Sequence, residues 1–114
     1  MHEVSLVMAL FDQIERSAAP HPDATVHKVF VRVGELAGVE PKLLETAFES
    51  YREMRQCAKA SIELVFEEAM WTCASCSAPM ARGELLQCPC GGRARLAKGG
   101  DVFLDRLELE VPDV

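Results

Sequence analysis

Four cysteines within an 18-residue stretch, Cys73, Cys76, Cys88 and Cys90, constrain this chain more than any other feature. They form two close pairs, Cys73-Ala74-Ser75-Cys76 and Cys88-Pro89-Cys90, separated by eleven residues. A turn carrying two cysteines presents two sulfurs to one ion, and two such turns close the tetrahedral thiolate shell that Zn²⁺ favours. Gly91 and Gly92 follow the last cysteine, where a tight turn with positive φ is needed to aim N–H groups at sulfur. The second pair is irregular, because Pro89 alone stands where two residues are usual. If Cys90 fell short, a three-cysteine open site would remain, and an iron–sulfur or redox cysteine pair is a further alternative. No histidine can substitute locally, since His2, His21 and His27 all precede residue 28. Four thiolates leave no position for water or substrate, so a zinc ion held this way is structural rather than catalytic.

Residues 69–98 hold few large aliphatic side chains, so metal takes the place of hydrophobic burial there. The flanking sequence reads differently. Val4, Val7, Met8, Phe11 and Ile14 recur at helical spacing, and the Pro20, Pro22, Asp23 cluster ends that helix. Thr25 to Val33 alternates as a strand, with His27, Val29, Val31 and Val33 on one face. Pro41 suits the first turn of a second helix whose stripe is Leu44, Ala47, Phe48, Tyr51 and Met54. Ser61 to Glu67 alternates again, placing Ile62, Leu64 and Phe66 opposite Glu63 and Glu67. After Gly99-Gly100, a last strand is predicted over 102–111 with Phe103, Leu107, Leu109 and Val111 on one face. The expected fold is α+β, two helices packed on a three-stranded sheet with an inserted zinc-ribbon-like loop. Residues 1–68 plus 100–114 would form the helix-bearing domain and 69–99 the insertion, and the strands flanking the insertion are expected to pair with each other.

Several function classes are excluded at this level. A chain of 114 residues suits one compact domain. Its longest apolar runs fall short of the roughly 20 residues of a membrane span. Glu3, Asp12 and Glu15 interrupt any signal-peptide core, so a cytoplasmic location is expected, where clustered cysteines bind metal rather than form disulfides. A net charge of −6 disfavours nucleic acid.

The amino terminus carries its own chemistry. The α-amine of Met1, the amide nitrogen of His2 and the His2 imidazole can close adjacent chelate rings that are nearly coplanar. Such square-planar nitrogen donation suits Ni(II) or Cu(II) better than Zn(II). The bulk of His2 favours retention of Met1.

Met1-His2-Glu3 opening into a helix with Ser5-Leu6, then Gly34-Glu35-Leu36 before Pro41, Ala47-Phe48-Glu49, and finally the cysteine pairs, together resemble the HypA/HybF family of nickel-insertion proteins for nickel–iron hydrogenase maturation. The resemblance covers the whole chain. It implies a metallochaperone, not an enzyme, holding Ni(II) transiently at Met1, His2 and Glu3 and structural Zn(II) on Cys73, Cys76, Cys88 and Cys90. Glu40 matches a position that often carries a carboxylate near nickel. The implied partners are the accessory GTPase of the pathway and the hydrogenase large subunit, with urease served by some relatives, and a monomer or weak homodimer is expected. The chain lacks a phosphate-cradling Gly-x-x-x-x-Gly-Lys-Ser/Thr loop of its own. The competing reading is a zinc-ribbon module that contacts protein or nucleic acid through Arg82, Arg93, Arg95 and Lys98. Cys57 reads as a buried small side chain, His27 as a core or edge histidine, His21 as solvent-exposed, and Glu63, Glu67 and Glu68 as a solvated strand face.

Overall fold

The fold is described from a computed structural model, which describes residues 3–55, 57, 59–82 and 87–112, without the side chains of residues 54 and 55. Helix α1 (Glu3–Ala18) buries Val7, Leu10, Phe11 and Ile14, the i, i+3, i+4, i+7 set of one face. Strand β1 (Thr25–Gly34) leads through a glycine-containing loop to helix α2 (Pro41–Tyr51). Glu40 caps α2, its carboxylate accepting the Lys42 N–H at 3.4 Å, and α2 buries Leu44, Ala47 and Phe48. A 3₁₀ turn (Arg52–Arg55) follows. The predicted core residue Met54 has its side chain outside the described set.

Strand β2 (Ser61–Glu67) pairs with β1 in parallel, as a helical crossover requires, and the last strand β6 (Val102–Glu110) pairs with β1 antiparallel on its other edge. The strands flanking the insertion therefore do not pair with each other, contrary to expectation. β1 takes the centre: Val29, Val31 and Val33 lie in the core under the helices, while the opposite face carries buried Phe30 between half-buried Lys28 and Arg32. Among the described residues no helix covers Phe30. Arg106 stacks on its ring at 4.1 Å and Lys28 at 5.3 Å. Around them Arg32 pairs with Asp105 at 3.3 Å and Lys28 with Glu63 at 3.5 Å, so charged side chains close this side of the sheet.

Two register shifts change which residues face the core. In β6 the shift lies opposite Phe30 and Val31, so Val102 and Leu104 pack inward before it and Leu107 and Leu109 after it. Phe103 and Val111, predicted on that face, are exposed. In β1 the shift between Val26 and Lys28 buries Val26 and turns His27 outward, 3.9 Å from Glu110. Phe66 aligns with Val33 yet is 68% exposed at the end of β2. Cys57 is buried in the core beside Ala60, as read from the sequence. Among the described residues no helix is long and apolar enough to cross a membrane.

The cysteine segment is more ordered than the expected loop. It forms a second three-stranded sheet, order β4-β3-β5, from β3 (Met70–Cys73), β4 (Pro79–Met80) and β5 (Ala94–Lys98). Its buried side chains are Cys73, Met80 and Cys88, with Trp71 and Ala94 packed against them. Main-chain pairing gives this sheet its shape, because so small an apolar cluster cannot.

Candidate metal centre

Cys73 is the last residue of β3, and its chain turns at once. Its carbonyl accepts the Ser77 N–H at 2.9 Å while its own N–H donates to the Ala78 carbonyl at 2.9 Å. Ser77 takes the left-handed conformation at φ 63° to complete this knuckle. Inside it, the N–H groups of Ser75 and Cys76 point at Cys73 Sγ at 3.4 and 3.5 Å. The second knuckle closes by Gly91 N–H to the Cys88 carbonyl at 2.8 Å and Cys88 N–H to the Gly92 carbonyl at 2.9 Å. Gly91 has φ 90°, the conformation that allows a turn shortened to one intervening proline.

The result brings all four sulfurs within 4.8 Å of one another. Cys73 Sγ lies 3.4 Å from Cys90 Sγ, and Cys76 Sγ 3.8 Å from Cys88 Sγ. A tetrahedral ion with bonds of about 2.3 Å to sulfur needs edges of about 3.8 Å, so the donor set fits one such ion. Cys90 belongs to the cluster despite its short spacing. Cys73 and Cys88 are buried, Cys76 and Cys90 exposed.

The thiols are electrostatically unequal. Hydrogen bonds from the Cys76 and Ser75 N–H groups bring Cys73 down to about 6. At Cys90 the Gly92 N–H pulls downward, but the Cys73, Cys76 and Cys88 sulfurs outweigh it and push the thiol up to about 12. Four thiolates at this separation repel, and a divalent cation is the natural compensation.

Gly92 is a steric requirement of the centre that sequence reading valued only as a turn residue. A Cβ there would stand 2.4 Å from Cys73 Sγ and 2.9 Å from the Ser75 side chain. Gly92→Ala is therefore expected to weaken metal retention by one to two orders of magnitude, comparable to disturbing a ligand's supporting shell. Competition with a chromophoric chelator measures it.

A family profile described as "Hydrogenase/urease nickel incorporation, metallochaperone, hypA" matches residues 1–109. The chain belongs to the HypA family. The hydrogenase maturation factor HypA of Aquifex aeolicus is 40% identical over 97% of this chain and 99% of its own, and that of Wolinella succinogenes is 34% identical over 99% and 98%. A solution structure of HypA superposes with a TM-score of 0.82 at 26% identity, covering 98% of each chain. The solution structure of the Ni metallochaperone HypA from Helicobacter pylori superposes at 0.77 and 28% identity, covering 98% of this chain and all of that one. HypA proteins are metallochaperones for hydrogenase maturation and not enzymes, which sets the task of this chain as handling metal rather than transforming a substrate.

The other residues read from sequence are placed unevenly. Met1 and His2 lie outside the described residues. Glu3 opens α1 and, with Val4, borders a hollow against Leu43, Ala47 and Tyr51 of α2. Glu40 lies outside that lining, and its carboxylate serves as the α2 cap. Of the basic residues of the competing reading, Arg82 stands apart from Arg95. Arg82 pairs with Glu35 and stacks on Trp71 at 5.1 Å. Trp71 pairs with Leu96, which puts Arg95, the partner of Thr72, on the other side of the second sheet.

Proposed function

We propose that this HypA-family chain binds Ni(II) through Met1, His2 and Glu3, carries it as cargo, and releases it to the hydrogenase large subunit alongside the accessory GTPase. The observation that carries this reading is the family match beginning at residue 1, which takes in the amino-terminal chelating segment together with the four cysteines. Residues 1–68 with 100–114 would be the nickel-handling domain. Residues 69–99 would hold one structural Zn(II) on Cys73, Cys76, Cys88 and Cys90, whose soft donors and near-tetrahedral spacing suit it.

Nickel at the amino terminus would be held by main-chain nitrogens and one imidazole, a donor set that suits square-planar Ni(II), as distinct from the thiolate shell that suits tetrahedral Zn(II). Hydrogenase-related partners are implied by the names of the relatives. The cytoplasm is the compartment proposed, with the chain a monomer or weak homodimer.

The test is nickel titration by calorimetry on untagged protein, on His2→Ala, and on protein extended by two residues before Met1. Both changes are expected to weaken nickel binding at least about tenfold, or about 1.4 kcal/mol, with zinc content unaltered. Unchanged affinity in both would sink the amino-terminal site.

A further inference from the structure

Among the described residues the buried apolar side chains of the two sheets fall into separate clusters. The radius of gyration is 17.8 Å, against about 13 Å for a compact chain of this length, so the second sheet projects from the first. Its orientation must be set at the junction, where the chain crosses outward after Glu67 and returns before Val102.

The end of β1 lies across both crossings. Gly34 N–H donates to the Asp101 carbonyl at 2.9 Å, Glu35 N–H to Glu67 at 2.8 Å, and Leu36 N–H to Gly99 at 2.8 Å. A Cβ on Gly34 would meet the Gly99 carbonyl carbon at 2.3 Å, and one on Gly99 would meet Ala69 Cα at 2.6 Å, so the three strands of chain touch backbone to backbone. Glu67, read from the sequence as solvated, instead accepts the Gly99 N–H at 3.0 Å and lies 3.8 Å from Arg32.

Those bonds hold the near side of the junction. The Glu35 carboxylate reaches past it. Its Oε1 accepts the Ala69 N–H at 2.9 Å and also the guanidinium of Arg82, which comes from the loop between the cysteine pairs and stacks on Trp71 of β3. These bonds from Ala69 and Arg82 hold the Glu35 carboxyl below the usual carboxylate range. An exposed ion pair is worth little alone. Here one carboxylate receives charge-assisted bonds from two segments of the second sheet's side, so its loss frees both.

We infer that Glu35 and Arg82 form a latch that fixes the cysteine-bearing sheet on the helix-covered sheet. The latch does not depend on the zinc reading. Gly34-Glu35-Leu36, which the sequence offered only as part of a resemblance, thereby acquires a physical task.

The test uses ¹⁵N relaxation on the full zinc-loaded chain. In the wild type, amides of β1 and of β3 and β5 should share one rotational correlation time. In Arg82→Ala and Glu35→Ala, zinc content should stay at one equivalent and the chemical shifts within each sheet should persist, while β3 and β5 amides lose the common correlation time and tumble faster. A single correlation time in both variants overturns the latch. A wild type that retains no zinc would overturn the zinc reading and leave the latch standing, provided the correlation times behave as expected.

Discussion

Replacing Cys73 by alanine should empty the metal centre and unfold the second sheet while the helix-covered sheet survives. Cys73 is fully buried, ends β3, receives two N–H groups on its sulfur and touches the Cys90 sulfur at 3.4 Å. Without it the remaining three thiols cannot complete a tetrahedral shell. Structural zinc contributes apparent binding free energies of about 10–16 kcal/mol in small metal-dependent folds, and that energy is folding energy. Segment 69–99 is shorter than the roughly 40 residues below which a core rarely holds a fold unaided. Its buried set of Cys73, Met80 and Cys88 makes the dependence acute. Elemental analysis should fall from about one zinc per chain to none, and hydrogen exchange should show β3 and β5 amides losing protection while those of α1 and β1 keep it. Cys57→Ala is the control, since that cysteine belongs to the other core and should leave zinc content unchanged. Protected β3 amides in metal-free Cys73→Ala protein would contradict the account.

Phe48→Ala should produce a large loss of stability in the helix-covered part of the fold without touching metal content. Phe48 is fully buried on α2 and stacks on Phe11 of α1 with ring centroids 5.1 Å apart and 25° between planes. It joins the two helices above the central strand, so truncation removes burial, the ring pair and the packing of α1 at once. Phe-to-Ala changes at such sites cost about 3–5 kcal/mol. For a domain this size that corresponds to a fall in melting temperature of roughly 10–30 °C, read by far-ultraviolet circular dichroism on zinc-loaded protein. Phe48→Leu should recover much of it. A shift of only a few degrees for the alanine variant would show that the interhelical contact does not organise the core.

How much of this was legible before folding depends on the range of the interaction. The helix stripes are local patterns with a period set by the backbone, so Val7, Phe11 and Ile14 and then Leu44, Ala47 and Phe48 were readable directly. Strand faces were readable only until a bulge intervened. His27 and Phe103 were misassigned because a register shift is decided by the partner strand, which local alternation does not contain. Likewise the placing of β1 between β2 and β6 follows from its burial on both faces, and Phe30 is buried by Arg106 and Lys28, one of them 76 residues away.

At the metal centre the same division holds. Cysteine type and spacing alone determined that four sulfurs could meet, because each knuckle is a local turn whose geometry a few residues dictate. Only the tertiary structure decided that the shortened Cys88-Pro89-Cys90 turn reaches the cluster, since that depends on the backbone approaching Cys73 closely enough that Gly92 admits no side chain. Only it revealed Glu35 as the residue that ties Ala69 to Arg82, for a carboxylate whose two partners lie 34 and 47 residues away leaves no periodic or motif signal in the chain.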